Sequence, residues 1–473
     1  MPRAAIVPMI VACALFMENL DSTVLATALP TIAQALGESP LTLSLAITAY
    51  LFSLAVFIPI SGWVADRFGA KHVFRAAIAV FVLGSITCGL AVSLPGLVAA
   101  RLLQGLGGAM MVPVGRLVLL RSVAKSELVQ AMAYLTVPAL IGPLLGPPVG
   151  GFITTYWHWR WIFWINVPIG LLGIALATWL IPNVREERPP PLDLPGFLLS
   201  GAALVGLVFG FETLGRGPLP PAVAPLLLVL GGLGVLAYRR HAARTAHPVI
   251  DLDLLRVPTF RAAILGGFLF RIGIGAIPFL LPLMLQAGFG LSAFHSGLLT
   301  FAAAMGALTM KLTAAPILRR LGFRRVLLVN ALVSSAFIAA IGLFRPDTPH
   351  ALMLVVLLAG GFFRSLQFTS LNTLAYAEIA PARMSRATSF SSMAQQLSLS
   401  VGVGSGALTL HLVGGGQIAA QDFVPAFLLV AAIAASSVMV FLPLPPDAGA
   451  EISGHGRPRT GPDAVLDRPA ARH

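Results

Sequence analysis

The chain has 473 residues, of which 57% are hydrophobic and only 10% charged, and its formal net charge is +13. Soluble globular domains carry about 25% charged residues, so this composition, with a mean hydropathy of +0.89, leaves too little polar surface to face water and excludes a soluble protein. The basic residues are scattered over many short connections and form no single patch, which argues against nucleic acid as a partner.

Fourteen apolar stretches follow one another, at about 5–28, 43–64, 74–93, 97–116, 128–152, 161–181, 195–212, 221–238, 260–286, 292–316, 326–344, 351–376, 387–411 and 423–443. A helix needs about 20 residues to cross the hydrocarbon core, whereas strands of a membrane barrel would be about 10 residues long with alternating polarity. The prediction is an all-α integral membrane protein with 14 transmembrane helices embedded in a lipid bilayer. The first stretch is too long for a signal-peptide core and carries carboxylates, so it reads as the first span. Cys13 and Cys88 both lie in apolar stretches and have no partner at metal-ligand spacing, so both read as small buried apolar residues.

Lysine and arginine set the orientation. With an even number of spans both termini share a side, and that side receives 24 of the 31 basic residues; the other receives only Arg160, Arg216 and Arg345. Both termini are therefore expected in the cytoplasm. Arg101, Arg271, Lys311 and Arg364 are left inside spans. Lys311 lies near a helix end and is expected to snorkel; Arg271 and Arg364 lie near the midplane and are expected to face a wet cavity, the carboxylates of the first span or an anionic substrate.

In the first span, Glu18 and Asp21 are three residues apart and share a helix face. An ionised carboxylate at that depth costs about 2.5–3.5 kcal/mol, and two of them in low dielectric resist joint ionisation. A protonatable group of this kind suits a proton-coupled carrier; the structural alternative is a carboxylate paired with arginine. Arg101 in the fourth span lies at a similar depth to Asp21, roughly 8–10 Å below the external surface at 1.5 Å per residue, so an Asp21–Arg101 pair is geometrically allowed. The turn after the second span contains Gly62, Asp66, Arg67, Gly69 and Lys71; the glycines permit tight backbone geometry, Asp66 can cap a helix or pair with a base, and the group reads as a cytoplasmic gate. In the fifth span Gly142, Gly146 and Gly150 are four apart and form a stripe without side chains, flanked by Pro147 and Gly151, which favours close helix approach and a bend. Gln367, Asn372, Gln395 and Gln396 are candidates to line a cavity with Arg271 and Arg364.

The turns at 66–73 and 319–326 are both basic and centred on a glycine. Each follows the second helix of a six-helix block. This predicts two six-helix halves, 1–182 and 260–443, a linker 183–259 with two inserted helices at about 195–212 and 221–238, and a disordered cytoplasmic tail over 444–473. No phosphate-binding loop, zinc-protease motif or nucleophile elbow occurs, so neither an enzyme nor an ATP-driven pump is expected.

With these residues assembled, the chain resembles the major facilitator superfamily, and within it the fourteen-helix drug:proton antiporters, over about 5–443. The turn at 62–74 is similar to the superfamily's signature loop, with Val64 and Ala70 as departures. Arg101-Leu102-Leu103-Gln104-Gly105-Leu106-Gly107-Gly108-Ala109 is similar to a fourth-helix signature whose arginine is tied to proton coupling. The 142–151 run resembles the antiporter motif, and Leu20-Asp21-Ser22-Thr23-Val24 with Ala28-Leu29-Pro30 resembles the first-helix motif that carries a protonatable aspartate. Glu18 is an addition to that pattern, and Gln395 and Gln396 stand where some exporters of cations carry acids. The resemblance implies a monomeric multi-pass protein of a bacterial inner membrane that exports small molecules in exchange for protons, without a cofactor or metal. Asp21 would take the coupling proton, aided by Glu18 and Arg101. An exporter of organic anions using Arg271 and Arg364, and a non-transporting membrane sensor or scaffold, are the alternatives.

Overall fold

The computed structural model describes residues 3–122, 128–181, 191–213, 222–380, 383–414 and 418–453. Among them there is helix and no strand, as expected for backbone that must satisfy its own hydrogen bonds in lipid. The helices are α1 (Arg3–Leu36), α2 (Pro40–Phe68), α3 (Ala70–Leu90), α4 (Leu94–Ser122), α5 (Leu128–Tyr156), α6 (Trp161–Leu180), α7 (Leu194–Glu212), α8 (Val223–Ala242) and α9 (Pro258–Leu283). A π-helical turn, Met284–Gly288, ends α9. The run Ala293–Gly342 breaks at Gly322 (φ 72°, ψ 163°) and is two helices, α10 (293–321) and α11 (323–342). Then come α12 (His350–Leu374), α13 (Met384–Gly414), α14 (Phe423–Phe441) and a short α15 (Ala450–Ser453). Thirteen of the described helices are long and apolar enough to cross a membrane, and α5, 29 residues long, brings the total to the fourteen predicted.

Local sequence explains the boundaries. The Ser39 hydroxyl accepts from the Leu41 N–H and Pro40 opens α2, a start that needs no donor in its first turn. Gly69 closes α2 at φ 92°, its N–H donating to the Ala65 carbonyl. The two glycines aligned by the repeated basic turns, Gly69 and Gly322, thus both adopt the left-handed region that glycine enters without steric cost. Ser292 starts α10, accepting from the His295 N–H. Several helices run past their expected ends, α1 and α4 furthest. α1 continues to Leu36 through Pro30, and α4 continues to Ser122, which takes Arg116 out of the predicted loop and into a helix.

Helices α1–α6 pack on one another, with α1 against α5, α2 and α3 against α4, and α3 against α6. Helices α9–α14 repeat the pattern, with α9 against α13 and α14, and α12 against the α10–α11 run. The two groups meet along α5–α10 and α2–α13. Between them α7 and α8 form a hairpin whose backbones approach at Gly206 and Gly231, where an added Cβ would meet the partner at 2.8 Å. Phe197 and Phe209 of α7 sit against Phe57 and Phe52 of α2. The outer face of α8 exposes Leu226, Val229, Leu230, Leu233 and Leu236, the surface a lipid-facing helix presents.

The expected disordered tail does not begin at 444. Leu444 and Ala448 are buried, and Gly449, at φ 68°, lies against Phe323 and Leu374 before α15, because these apolar side chains reach the end of α11 and α12. Residues 454–473, and with them the rest of the tail assignment, lie outside the described residues. So do Arg185, Arg188, Lys125 and Arg216 of the charge count.

Candidate functional site

The site is built from two charged clusters on α1, one turn apart. Asp21 is buried at the centre of the first bundle. Its Oδ2 accepts from Arg101 Nη1 at 2.6 Å, and its Oδ1 accepts from Gln104 Nε2 and Asn166 Nδ2, each at 2.9 Å. Arg101 also donates to Gln104 Oε1 (2.6 Å) and to the Ala46 carbonyl (3.2 Å), and its guanidinium lies 4.3 Å from the centre of the Tyr50 ring. Ser85 Oγ accepts from Gln104 (2.7 Å) and Asn166 (3.2 Å). The predicted Asp21–Arg101 pair is present, and it ties together α1, α2, α3, α4 and α6. Arg101, Gln104 and Asn166 are almost wholly excluded from solvent, so the carboxylate is held by a charge-assisted network in low dielectric, where such bonds are strong and their loss is costly.

Gln104 and Asn166 were not singled out from the sequence. Gln104 lies in the quoted fourth-helix run, three residues from Arg101 and therefore on its face; that spacing was the available signal. Asn166 gave none, since a lone amide in an apolar span more commonly makes an ordinary interhelical bond.

Glu18 shares its helix with Asp21 but not its surroundings. It lines a cavity of about 510 Å³ between the two bundles, together with Asn19, Arg116, Asn372, Tyr376, Gln395 and Gln396, and its buried Oε2 has no hydrogen-bond partner. Of the residues expected at a cavity, Asn372, Gln395 and Gln396 line this one. Three do not. Gln367 is fully buried inside the second bundle, accepting from Asn330 Nδ2 (2.9 Å) and donating to the Leu327 carbonyl (3.1 Å), because its helix face turns toward α11. Arg271 lies behind the cavity wall. It donates to Asn372 Oδ1 at 2.9 Å and sits over Phe368, 5.2 Å from the ring centre, so it orients a lining amide without itself lining the cavity. Arg364 opens into a separate, mostly apolar cavity of about 210 Å³ bounded by α1, α5, α9 and α10, which it shares with Lys311. Lys311 does not snorkel; its Nζ donates to Thr369 Oγ1 at 2.7 Å, a partner on α12 that spares it the reach to the interface. Arg116, counted as a topogenic loop residue, instead lines the central cavity.

The glycine stripe of α5 does serve close helix approach, within one bundle. A Cβ at Gly142 would meet Asn19 and Phe16 at 3.0 Å, at Gly146 the Thr23 side chain, and at Gly150 the Val24 carbonyl at 2.8 Å. All three therefore face α1 of the same bundle. Contact between the bundles is made by Gly151, one residue further round the helix, against the Ala293 backbone, and by Pro147 against Gly297. Thr155 Oγ1 accepts from the Phe294 N–H (3.1 Å), and Gln286 of the π-turn donates to the Thr27 carbonyl (2.9 Å). This seam closes the end of the molecule opposite the Arg116 cavity.

In the predicted gate, Gly69 carries the left-handed turn, Asp66 takes part in an interaction, and Arg67 is exposed beside the less accessible Lys71. Gly62 does not serve close approach, since nothing lies within 4 Å of a Cβ added there.

Comparison with known proteins places this geometry. The sequence profile of the Major Facilitator Superfamily matches residues 11–403 and again 263–469. The putative multidrug resistance protein MdtD of Salmonella heidelberg (strain SL476) is 39% identical over 450 residues, covering 93% of this chain and 94% of that protein; its counterpart from Salmonella typhi is equally similar. A crystal structure of a D-xylose-proton symporter superposes with a TM-score of 0.68 at 14% identity, over 94% of this chain and 98% of that one. The human organic anion transporter MFSD10 (TETRAN) gives 0.58 at 16%, over 93% and 100%. At these identities the structural likeness concerns the fold.

Proposed function

The chain belongs to the Major Facilitator Superfamily, and from that premise we propose that it is a proton-coupled efflux transporter, exporting small molecules by alternating access of the central cavity. The observation that carries this reading is the arrangement of α1: one carboxylate, Asp21, locked to a buried arginine, and a second, Glu18, open to a cavity shared by both bundles. The multidrug resistance relatives from Salmonella support the export direction and a small-molecule substrate. They and the charge asymmetry of the connections support a bacterial inner membrane with both termini in the cytoplasm. No chemical transformation belongs to this reading; the proton gradient supplies the work.

On that orientation the cavity opens toward the cytoplasm, at the end of α4 that carries Arg116, while the seam of Gly151, Thr155 and Gln286 closes the outside. Protonating Asp21 removes the charge that holds Arg101. The guanidinium retains Gln104 Oε1, the Ala46 carbonyl and the Tyr50 ring as partners, so the pair opens without stranding the arginine. α1 is then held to α4 and α6 only by the neutral amide bonds of Gln104 and Asn166 and can shift against α5, along the glycine stripe. Glu18 exchanges its proton with water in the cavity and competes there with the substrate's positive charge. The latch at Asp66, Arg67, Gly69 and Lys71 holds the cytoplasmic rim of the alternate state.

The test is flux in proteoliposomes under an imposed pH gradient. Asp21→Asn removes the charge and replaces one acceptor oxygen by a donor; it should fold and abolish gradient-driven transport while permitting counterflow. Gradient-driven flux at the unmodified rate in Asp21→Asn would remove Asp21 from the mechanism.

A further inference from the structure

The central cavity carries an acid and a base, Glu18 and Arg116, that no other described side chain pairs. Glu18 lines it, and the buried Oε2 of that carboxylate has no hydrogen-bond partner among the described residues. Arg116 lines the same cavity and, among the described residues, makes no hydrogen bond or ion pair. The contrast with Arg101 on the same helix is sharp, for that guanidinium has three acceptors and an aromatic face. Glu18 and Arg116 line the same cavity without forming an ion pair with each other, so a ligand held there can touch both. Among the described residues they are the only charged ones lining the cavity.

Both charges come from the first bundle. The wall facing them, from the second bundle, is polar and uncharged: Asn372, Tyr376, Ser391, Ser392, Gln395 and Gln396. Amides and hydroxyls both donate and accept, so this wall hydrogen-bonds a ligand without selecting its charge. Charge selection falls to Glu18 and Arg116. A simple cation would satisfy Glu18 but would be repelled by Arg116, and a simple anion the reverse. Only a ligand with both signs engages Glu18 and Arg116 together without being repelled by either.

We propose that the transporter's central cavity selects zwitterionic small molecules, with Arg116 as the residue that discriminates them from simple cations. The assignment rests on the exporter reading for its biological meaning, but the binding it requires can be measured without transport.

The probes are rhodamine 110 and rhodamine 123, which share one fluorophore; the first carries a free carboxylate and the second its methyl ester. Binding to the purified full-length protein in detergent is followed by fluorescence anisotropy, with protein-free micelles subtracted. Rhodamine 110 should bind about tenfold more tightly or better, the size of effect expected when a charge-assisted contact is lost. Arg116→Gln should abolish that preference by weakening rhodamine 110 while leaving rhodamine 123 unchanged or tighter, and Arg116→Lys should preserve it. Equal affinities in the unmodified protein, no measurable rhodamine 110 binding, or a preference that survives Arg116→Gln would each overturn the assignment; the unmodified protein decides even if a variant fails to fold. The expected preference without any pH-gradient-driven uptake of rhodamine 110 would instead count against the exporter reading and leave this assignment standing.

Discussion

At the scale of single residues, the informative fact is that Glu18 and Asp21 lie one turn apart and yet differ in role. Asp21 spends its oxygens on three donors from two other helices, whereas Glu18 meets the cavity. Removing one member of a buried ion pair leaves the other charge uncompensated and costs about 3–5 kcal/mol. Arg101→Leu should therefore lower stability strongly. The double variant Asp21→Asn with Arg101→Leu should be more stable than Arg101→Leu alone, because the stranded carboxylate is gone. Thermal unfolding in detergent reads both, and simple additivity of the two single effects would show that the pair is not energetically coupled.

At the scale of helices, glycine separates the positions that matter for packing from those that do not. Gly146 lies directly on Thr23 and Gly151 on the Ala293 backbone, while Gly62 has open space. Gly62→Ala should preserve transport and stabilise α2 by about 0.5–1 kcal/mol, the helix penalty of glycine. Gly146→Leu should stop turnover by forcing α1 away from α5. Gly69→Ala should cost stability instead of gaining it, since its φ of 92° strains any residue with a Cβ. Comparison of transport rate with unfolding temperature for the three variants checks the ordering; loss of transport in Gly62→Ala would contradict it.

At the scale of the whole molecule, the two bundles are held at one end by backbone contacts and separated at the other by the cavity. Alternating access requires the α5–α10 seam to part. Cysteines introduced at Thr155 and Phe294, joined by a short thiol cross-linker, should arrest transport under a pH gradient, and cleaving the linker should restore it. Cys13 and Cys88 are free, so the experiment belongs in a background where both are replaced. Undiminished transport in fully cross-linked protein would mean that this seam does not open during the cycle.

Much of this architecture is legible without coordinates. Span number, the membrane class and the charge asymmetry follow from hydrophobic length and basic connections, because insertion energetics act on each segment separately. The depth match of Asp21 and Arg101 followed from rise per residue alone. Helix rotation did not. A span that is apolar on every side gives no periodic signal of which face turns inward, so Gln367 and Asn372, five residues apart on α12, could not be assigned to opposite environments, and Arg116 could not be told from a loop arginine. Gln104 and Asn166 meet Asp21 only because α4 and α6 converge on α1. The chain by itself determined how many times it crosses the membrane and which charges it carries into the bilayer; only tertiary packing decided which of those charges are paired, which are open to the cavity and which glycines touch, since these depend on the angle at which separate helices meet.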